Sequence, residues 1–293
     1  MDLVGVLCVD KPAGMTSAAV VGTLRRSSGT RRVGHGGTLD PAATGVLPVF
    51  FGRATVLADH LSAQGKSYRA GIRLGAGSTT DDAEGELTPA ALPVGLTQDT
   101  VVGALAGFVG DIMQRPPAYS ALKVDGVRSY RRVRRGEGDA PLPPRPARVD
   151  RAELVRVEAG GDGGPLAVVD IDCGPGFYVR ALARDLGEAL GTRAHLESLV
   201  RTRVGALALD DAVSLDAAVA AGEDLALLPV RDVVRGWAAV RAEDGVEDLL
   251  QGRAVAAPGA PDGPSYAQDG AGRVLAIGEV RDGSFHPRRL VEL

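Results

Sequence analysis

Residues 34–47 read GHGGTLDPAATGVL, with four glycines, one histidine and a single carboxylate, Asp40, directly before a proline. An Asp-Pro pair ordinarily marks a turn, because proline drives the preceding residue out of the helical region and aspartate bonds its own backbone. The neighbourhood suggests more. Gly34, Gly36, Gly37 and Gly45 admit backbone conformations and a close ligand approach that bulkier residues would block. The loop is not a phosphate cradle: no Lys-Ser or Lys-Thr follows its last glycine, and it lacks GxGxxG. Paired-carboxylate hydrolysis needs a second placed acid, and none is evident. The loop also joins two regular segments. Upstream come an apolar run, Gly5 to Val9, a turn at DKPAG, and a helix opening at Thr16 or Ser17 with Gly29 at its stop. Downstream come a second apolar run, GVLPVFFG, and a helical stretch near Ala54 to Leu61.

The alternation continues. SYRAGIRLG reads as a half-buried strand, TQDTVVGALAGFVG as a capped helix beginning after Thr97, and DAPLPPRPARVD as an extended proline-rich connection. RAELVRVEA and PLAVVDIDC are β-rich runs divided by GGDGG. GFYVRALARDLGEALG has apolar residues at helical spacing and ends at Gly191. Beyond Trp237 the pieces are short and β-like, and Asp282-Gly283 has hairpin chemistry. A boundary falls near residues 228–238.

Composition narrows the class. Cys8 and Cys173 lie far apart in apolar runs, as reduced buried thiols of a cytoplasmic protein would. No segment approaches the ~20 apolar residues of a membrane span. The acidic run TTDDAEGEL fails as a calcium loop, since setting Gly85 at the required glycine puts Thr80 at the first ligand position and Ala91 at the last. Four scattered histidines give no zinc spacing. Net charge is −4, yet Arg115 to Arg148 carries nine basic residues against three acids. One concentrated basic segment in an acidic chain is what a local polyanion contact needs, and a solvated arginine-rich face is the plainer alternative.

GVLCVDKPAGMTS, GHGGTLDPAATGVL, GKSYRAGIRLG, PPAYSALKVDGVRSY, GFYVRALARDLGEALG and AHLESLVRTRVG together resemble, in order and spacing, the bacterial tRNA pseudouridine-55 synthases of the TruB family, from about Gly5 to Gly205. The C-terminal piece resembles that family's small RNA-binding PUA-like domain more loosely. The resemblance implies an α/β (α+β) fold: a pseudouridine synthase catalytic domain, residues 1–230, with a mixed, mostly antiparallel central sheet and an RNA-gripping insertion at about 113–148. A small β-rich PUA-like domain, residues 238–293, would follow.

It also implies roles. Asp40 is the family's single essential aspartate, in a cofactor-free isomerisation that detaches uracil at N1, turns it and rejoins it through C5. A carboxylate can serve such a reaction as nucleophile or as base. Tyr68 would stack on the flipped uracil, Tyr178 and Leu199 would line the pocket, and Arg180 would keep the catalytic carboxylate ionised. His35 would act where the flipped base leaves the stack, and Lys11 would brace the loop. The implied partner is the T arm of tRNA; no membrane, metal or obligate protein partner is implied, and the expected state is a cytoplasmic monomer. A non-catalytic tRNA-binding or folding factor is the alternative, and an RNA-guided relative acting on ribosomal RNA a further one. Two departures stand out. Val200 replaces an arginine where relatives commonly read Leu-Arg-Arg-Thr, and the chain from Trp237 onward carries six arginines against nine acids.

Overall fold

The computed structural model describes residues 3–119, the backbone of 123–124 and 127–128, and residues 142–160, 163–242 and 245–291. Half of the basic insertion expected at 113–148 lies outside the described residues. The chain forms two compact units, Met1–Ala63 with Arg203–Leu293, and Gln64–Thr202.

In the first unit the strand Gly5–Lys11 runs antiparallel to Thr44–Phe51 and parallel to Val213–Ser214. Val33–His35 adds to Thr44–Phe51. Because side chains alternate across a strand, both faces must be covered. Val6, Cys8, Val46 and Phe50 point into one cluster, shared with Ala54, Leu57 and Leu61 and with Val230 and Val233 of a short helix. Leu7, Val9, Leu47, Val49 and Phe51 point into another, covered by Val20, Val21 and Leu24 of the helix Ser17–Ser27 and by Leu215 and Ala218. That helix begins as its sequence indicates: the Thr16 side chain accepts from the Ala19 amide, and Gly29 follows its end in the left-handed region.

The C-terminal strands of this unit form a five-stranded sheet in the order Ala238–Arg241, Gly263–Gln268, Val274–Arg281, Ser284–Leu290, Val255–Ala256. Asp282 and Gly283 turn the last hairpin with φ of 50° and 70°, the conformation of a two-residue primed turn. One core of this sheet gathers Val240, Leu249, Leu275, Val280 and Phe285. Val274, Ile277 and Val291 instead join the cluster of Val6 and Phe50, so these strands share a core with the first strand.

In the second unit the strands neighbour one another in the order Ala194–Val204, Lys66–Leu74, Leu166–Cys173, Arg145–Glu158, Gly110–Gln114. Lys66–Leu74, Leu166–Cys173, Arg145–Glu158 and Gly110–Gln114 pair antiparallel in turn, whereas Gly5–Lys11 and Val213–Ser214 of the first unit pair parallel. The helices are Gln98–Ala106, capped by Thr97, and Val179–Ala189. The alternation in SYRAGIRLG is borne out: Lys66, Tyr68, Ala70, Ile72 and Leu74 are buried on one face of Lys66–Leu74, while the other carries Ser67, Arg69, Gly71 and Arg73, whose polar side chains bond Asp172, Asp170 and Glu197 of the flanking strands. One expectation changes. The proline-rich run is not a free connection throughout, since from Arg145 it is a strand paired with Gly110–Gln114. Pro146, which has no N–H, is accommodated where Gly110–Gln114 is the described partner strand on one side only.

Candidate active site

The Asp40 loop is fixed by the segment DKPAGMTS, residue by residue. Lys11 is fully buried, and its ammonium donates to the carbonyls of Pro12 and Met15 at 2.7 Å and of Pro41 at 3.1 Å. The Gly14 amide donates to the same Pro41 carbonyl at 2.9 Å. Ser17 holds the other side of Asp40: its hydroxyl accepts from the Leu39 amide at 2.9 Å and donates to the Leu39 carbonyl at 3.1 Å. Thr16 caps the helix, which leaves Ser17 for the loop. The Asp10 carboxylate accepts from the Gly45 amide at 3.2 Å, and the Asp40 carbonyl closes a turn with Ala43 at 3.1 Å. Both neighbours of half-buried Asp40 are thereby pinned. His35 ends the strand Val33–His35, and the next residue must be glycine, because a Cβ at Gly36 would lie 2.8 Å from the Phe50 ring.

The remaining sequence-derived residues lie in the second unit. Tyr68, 9% exposed, sits on Lys66–Leu74 opposite Ile171. Leu199 is half-buried on the neighbouring strand Ala194–Val204. Tyr178 precedes the helix Val179–Ala189, and its backbone is gripped twice by buried Gln114, whose side chain accepts from the Tyr178 amide at 2.9 Å and donates to its carbonyl at 3.1 Å. Arg180, 7% exposed, faces Asp82 at 3.3 Å and donates to the carbonyls of Thr80 at 3.2 Å and Tyr119 at 2.9 Å. On the strand that carries Tyr68, Lys66 donates to the Gln64 carbonyl at 2.9 Å. Burial, reinforced by the positive charge of Arg201, pushes Lys66 from its ordinary 10.5 down to about 8.

Sequence reasoning assigned no role to Gln114, Asp81, Asp82 or Arg201, and took Ser17 only as a possible helix cap. Asp82 had a signal: two adjacent acids in one turn, and two arginines, Arg180 and Arg184, one helical turn apart on one face. Arg201 is the arginine kept in LVRT beside Val200, and it is almost wholly buried. Among the described residues no group of three or more histidine, cysteine or acidic side chains could hold a metal ion, and no helix is long and apolar enough to cross a membrane.

Chemically, the arrangement offers a carboxylate on an immobilised backbone in one unit. The other offers a buried tyrosine, an apolar wall and guanidiniums anchored by acids. Comparison with known proteins gives this a family. A family model for the N-terminal domain of TruB family pseudouridylate synthases matches residues 25–179, and one for the tRNA pseudouridylate synthase B C-terminal domain matches residues 180–230. A protein named tRNA pseudouridine synthase B from Corynebacterium aurimucosum is 45% identical over 277 residues, 93% of this chain and 91% of that one. One of the same name from Mycobacterium leprae is 45% identical over 300 residues, covering 99% of this chain and 90% of its own length. Among solved structures, a Cbf5-Nop10-Gar1 complex contains a chain similar with a TM-score of 0.73 at 26% identity, over 99% of this chain and 83% of that one. An H/ACA RNP bound to a substrate RNA containing 2'-deoxyuridine gives the same TM-score at 24% identity, covering 99% and 85%. With matched domains spanning 25–230 and relatives alike over nearly its whole length, this chain belongs to the TruB family of pseudouridylate synthases.

Proposed function

We propose that the protein converts one uridine of tRNA, position 55 in the T arm, to pseudouridine without a cofactor, with Asp40 as its catalytic residue. The observation that carries this is the fixing of Asp40: Lys11 and Ser17 hold the residues on either side of it by buried hydrogen bonds, as preorganised catalysis requires. The N1–C1′ bond breaks, the uracil turns, C5 bonds to C1′, the C5 proton leaves to solvent and N1 takes up a proton in its place. No atom is gained or lost overall, so one carboxylate suffices as nucleophile or base.

A uridine stacked in a folded arm must first be extruded. Tyr68 stacks on the flipped uracil, a contact worth about 1–3 kcal/mol per base, Tyr178 and Leu199 line the pocket, Arg180 binds beside it, and His35 serves where the base departed. The strong basic bias of residues 115–148 suits the phosphates of the arm, and residues 238–293 act as a PUA-like RNA-binding domain. The enzyme works as a cytoplasmic monomer. Incubating it with an unmodified tRNA transcript and mapping carbodiimide adducts by reverse transcription tests this reading. One new stop, at uridine 55, is expected; stops elsewhere, or none, would contradict it.

A further inference from the structure

One helical turn beyond Arg180, Arg184 repeats its pattern of contacts on the same face of Val179–Ala189. Its guanidinium donates to the Asp81 carboxylate at 2.7 Å, to the Asp185 carboxylate at 2.9 Å and to the Arg115 carbonyl at 2.7 Å. Asp81 and Asp82 thus send adjacent carboxylates to two successive arginines of one helix. Each arginine also holds a carbonyl of the segment 115–119, Arg115 by Arg184 and Tyr119 by Arg180.

Asp81 reaches Arg184 with φ at 62°, a conformation that costs a non-glycine residue energy and that glycine would adopt freely. Its backbone is bolted in place: the Leu196 amide donates to the Asp81 carbonyl at 2.9 Å, and the Ala83 amide donates to the Leu196 carbonyl at 3.0 Å. The Asp82 carboxylate then accepts from the Glu84 amide at 3.1 Å and from the Thr80 hydroxyl. Arg184 and Asp81 also line a cleft of about 410 Å³ with Thr88, Glu188, Thr192 and Arg193, so one side of the pair opens to solvent.

We infer that Asp81 and Arg184 are positioning residues: their ion pair sets the turn 78–85 and the segment 115–119 so that Asp82 and Tyr119 present Arg180 to the substrate. The carboxylate, not the turn, is why a side chain is kept at a left-handed position. This rests on the tRNA-modifying reading and extends it to two residues that touch no substrate.

The test uses the full chain with Asp81→Gly, Arg184→Gln, Asp82→Asn and the double variant Asp81→Gly/Asp82→Asn. Asp81→Gly preserves and even eases the backbone while deleting the carboxylate, so it separates the two roles. Single-turnover rate and tRNA affinity are read separately, since small misplacements of reacting groups cost about tenfold to a hundredfold in rate. The expected result is a rate lowered about tenfold or more by Asp81→Gly and by Arg184→Gln, with tRNA affinity within about twofold and little further loss in the double variant, because coupled residues are non-additive. Rates within twofold of wild type, or losses that multiply, would overturn the inference.

Hydrogen exchange of the free protein gives an answer independent of tRNA. Asp81→Gly and Arg184→Gln should each speed exchange at the Ala83 and Glu84 amides, and unchanged protection there would equally overturn the inference. If wild type itself leaves tRNA unmodified, the functional reading fails while exchange still decides whether the pair sets the turn. Should Asp81→Gly not fold, Asp81→Asn, which also tolerates a left-handed backbone, takes its place in every measurement.

Discussion

Lys11 and Arg180 are both nearly inaccessible cations beside a motif, yet they are anchored by different chemistry. Lys11 gives its protons to three main-chain carbonyls, so it fixes the path of the chain on both sides of the DKP turn and at Pro41. Arg180 divides its planar fork between the Asp82 carboxylate and two carbonyls from separate segments. The ammonium can rotate to whichever carbonyl is near, whereas the guanidinium must be aimed, and aiming needs an acid. The difference teaches that the Asp40 loop is held as a backbone shape, and the helix Val179–Ala189 as a set of directed side chains.

The sharpest way to break this contrast is Lys11→Met. It leaves buried carbonyls without donors, and we expect a loss of about 3 kcal/mol in unfolding free energy by denaturant titration. Arg cannot substitute without shifting the loop, so Lys11→Arg should recover less than half of that loss. A loss below about 0.5 kcal/mol for Lys11→Met would show that the loop holds its shape without the lysine.

Next in size is Gln114→Ala. Two hydrogen bonds to the Tyr178 backbone vanish, and a cost of about 2 kcal/mol is expected, read the same way. If the second unit depended on ion pairs alone, this change would be close to neutral.

The smallest effect is a pH dependence. Folded Lys66 releases its proton near 8, while the unfolded chain keeps it up to 10.5. Between those values the unfolded state binds more protons, so stability rises with pH across that window. In Lys66→Met this contribution disappears, and the difference between the two proteins, followed by unfolding at several pH values, should narrow as pH climbs above 8. A pH-independent difference would mean that Lys66 is not held in a charge-disfavouring site.

The sequence was most legible where one signal decides one element. Thr16 caps the first helix, Gly29 follows its end, Asp282-Gly283 makes the last hairpin, and both faces of the first strands are apolar. The site residues came from the resemblance, which supplies roles but not the hands that hold them. Ser17 was read as a possible cap, since hydroxyls at a helix start ordinarily bond the first amides; only folding shows that Thr16 takes that job and Ser17 faces Leu39. Asp81 and Asp82 were tested against a calcium loop and set aside. Their partners, Arg180 and Arg184, lie about a hundred positions away, beyond any local spacing rule. Lys66–Leu74 was legible from its alternation; what sequence could not show is that Asp172, Asp170 and Glu197 of the flanking strands hold its polar face.

On the proposed function, Asp40 is a catalyst whose backbone is prepositioned. The direct measurement is tritium release from an unmodified tRNA transcript labelled at uridine C5, with wild type and Asp40→Asn side by side and tRNA affinity measured for both. Joining C5 to the sugar expels that hydrogen. Close to one release per tRNA is expected with wild type, none with Asp40→Asn, and affinities within about threefold, since the substitution is nearly isosteric and removes only the charge. Release by Asp40→Asn at the wild-type rate, or tight binding without release by either protein, would contradict it.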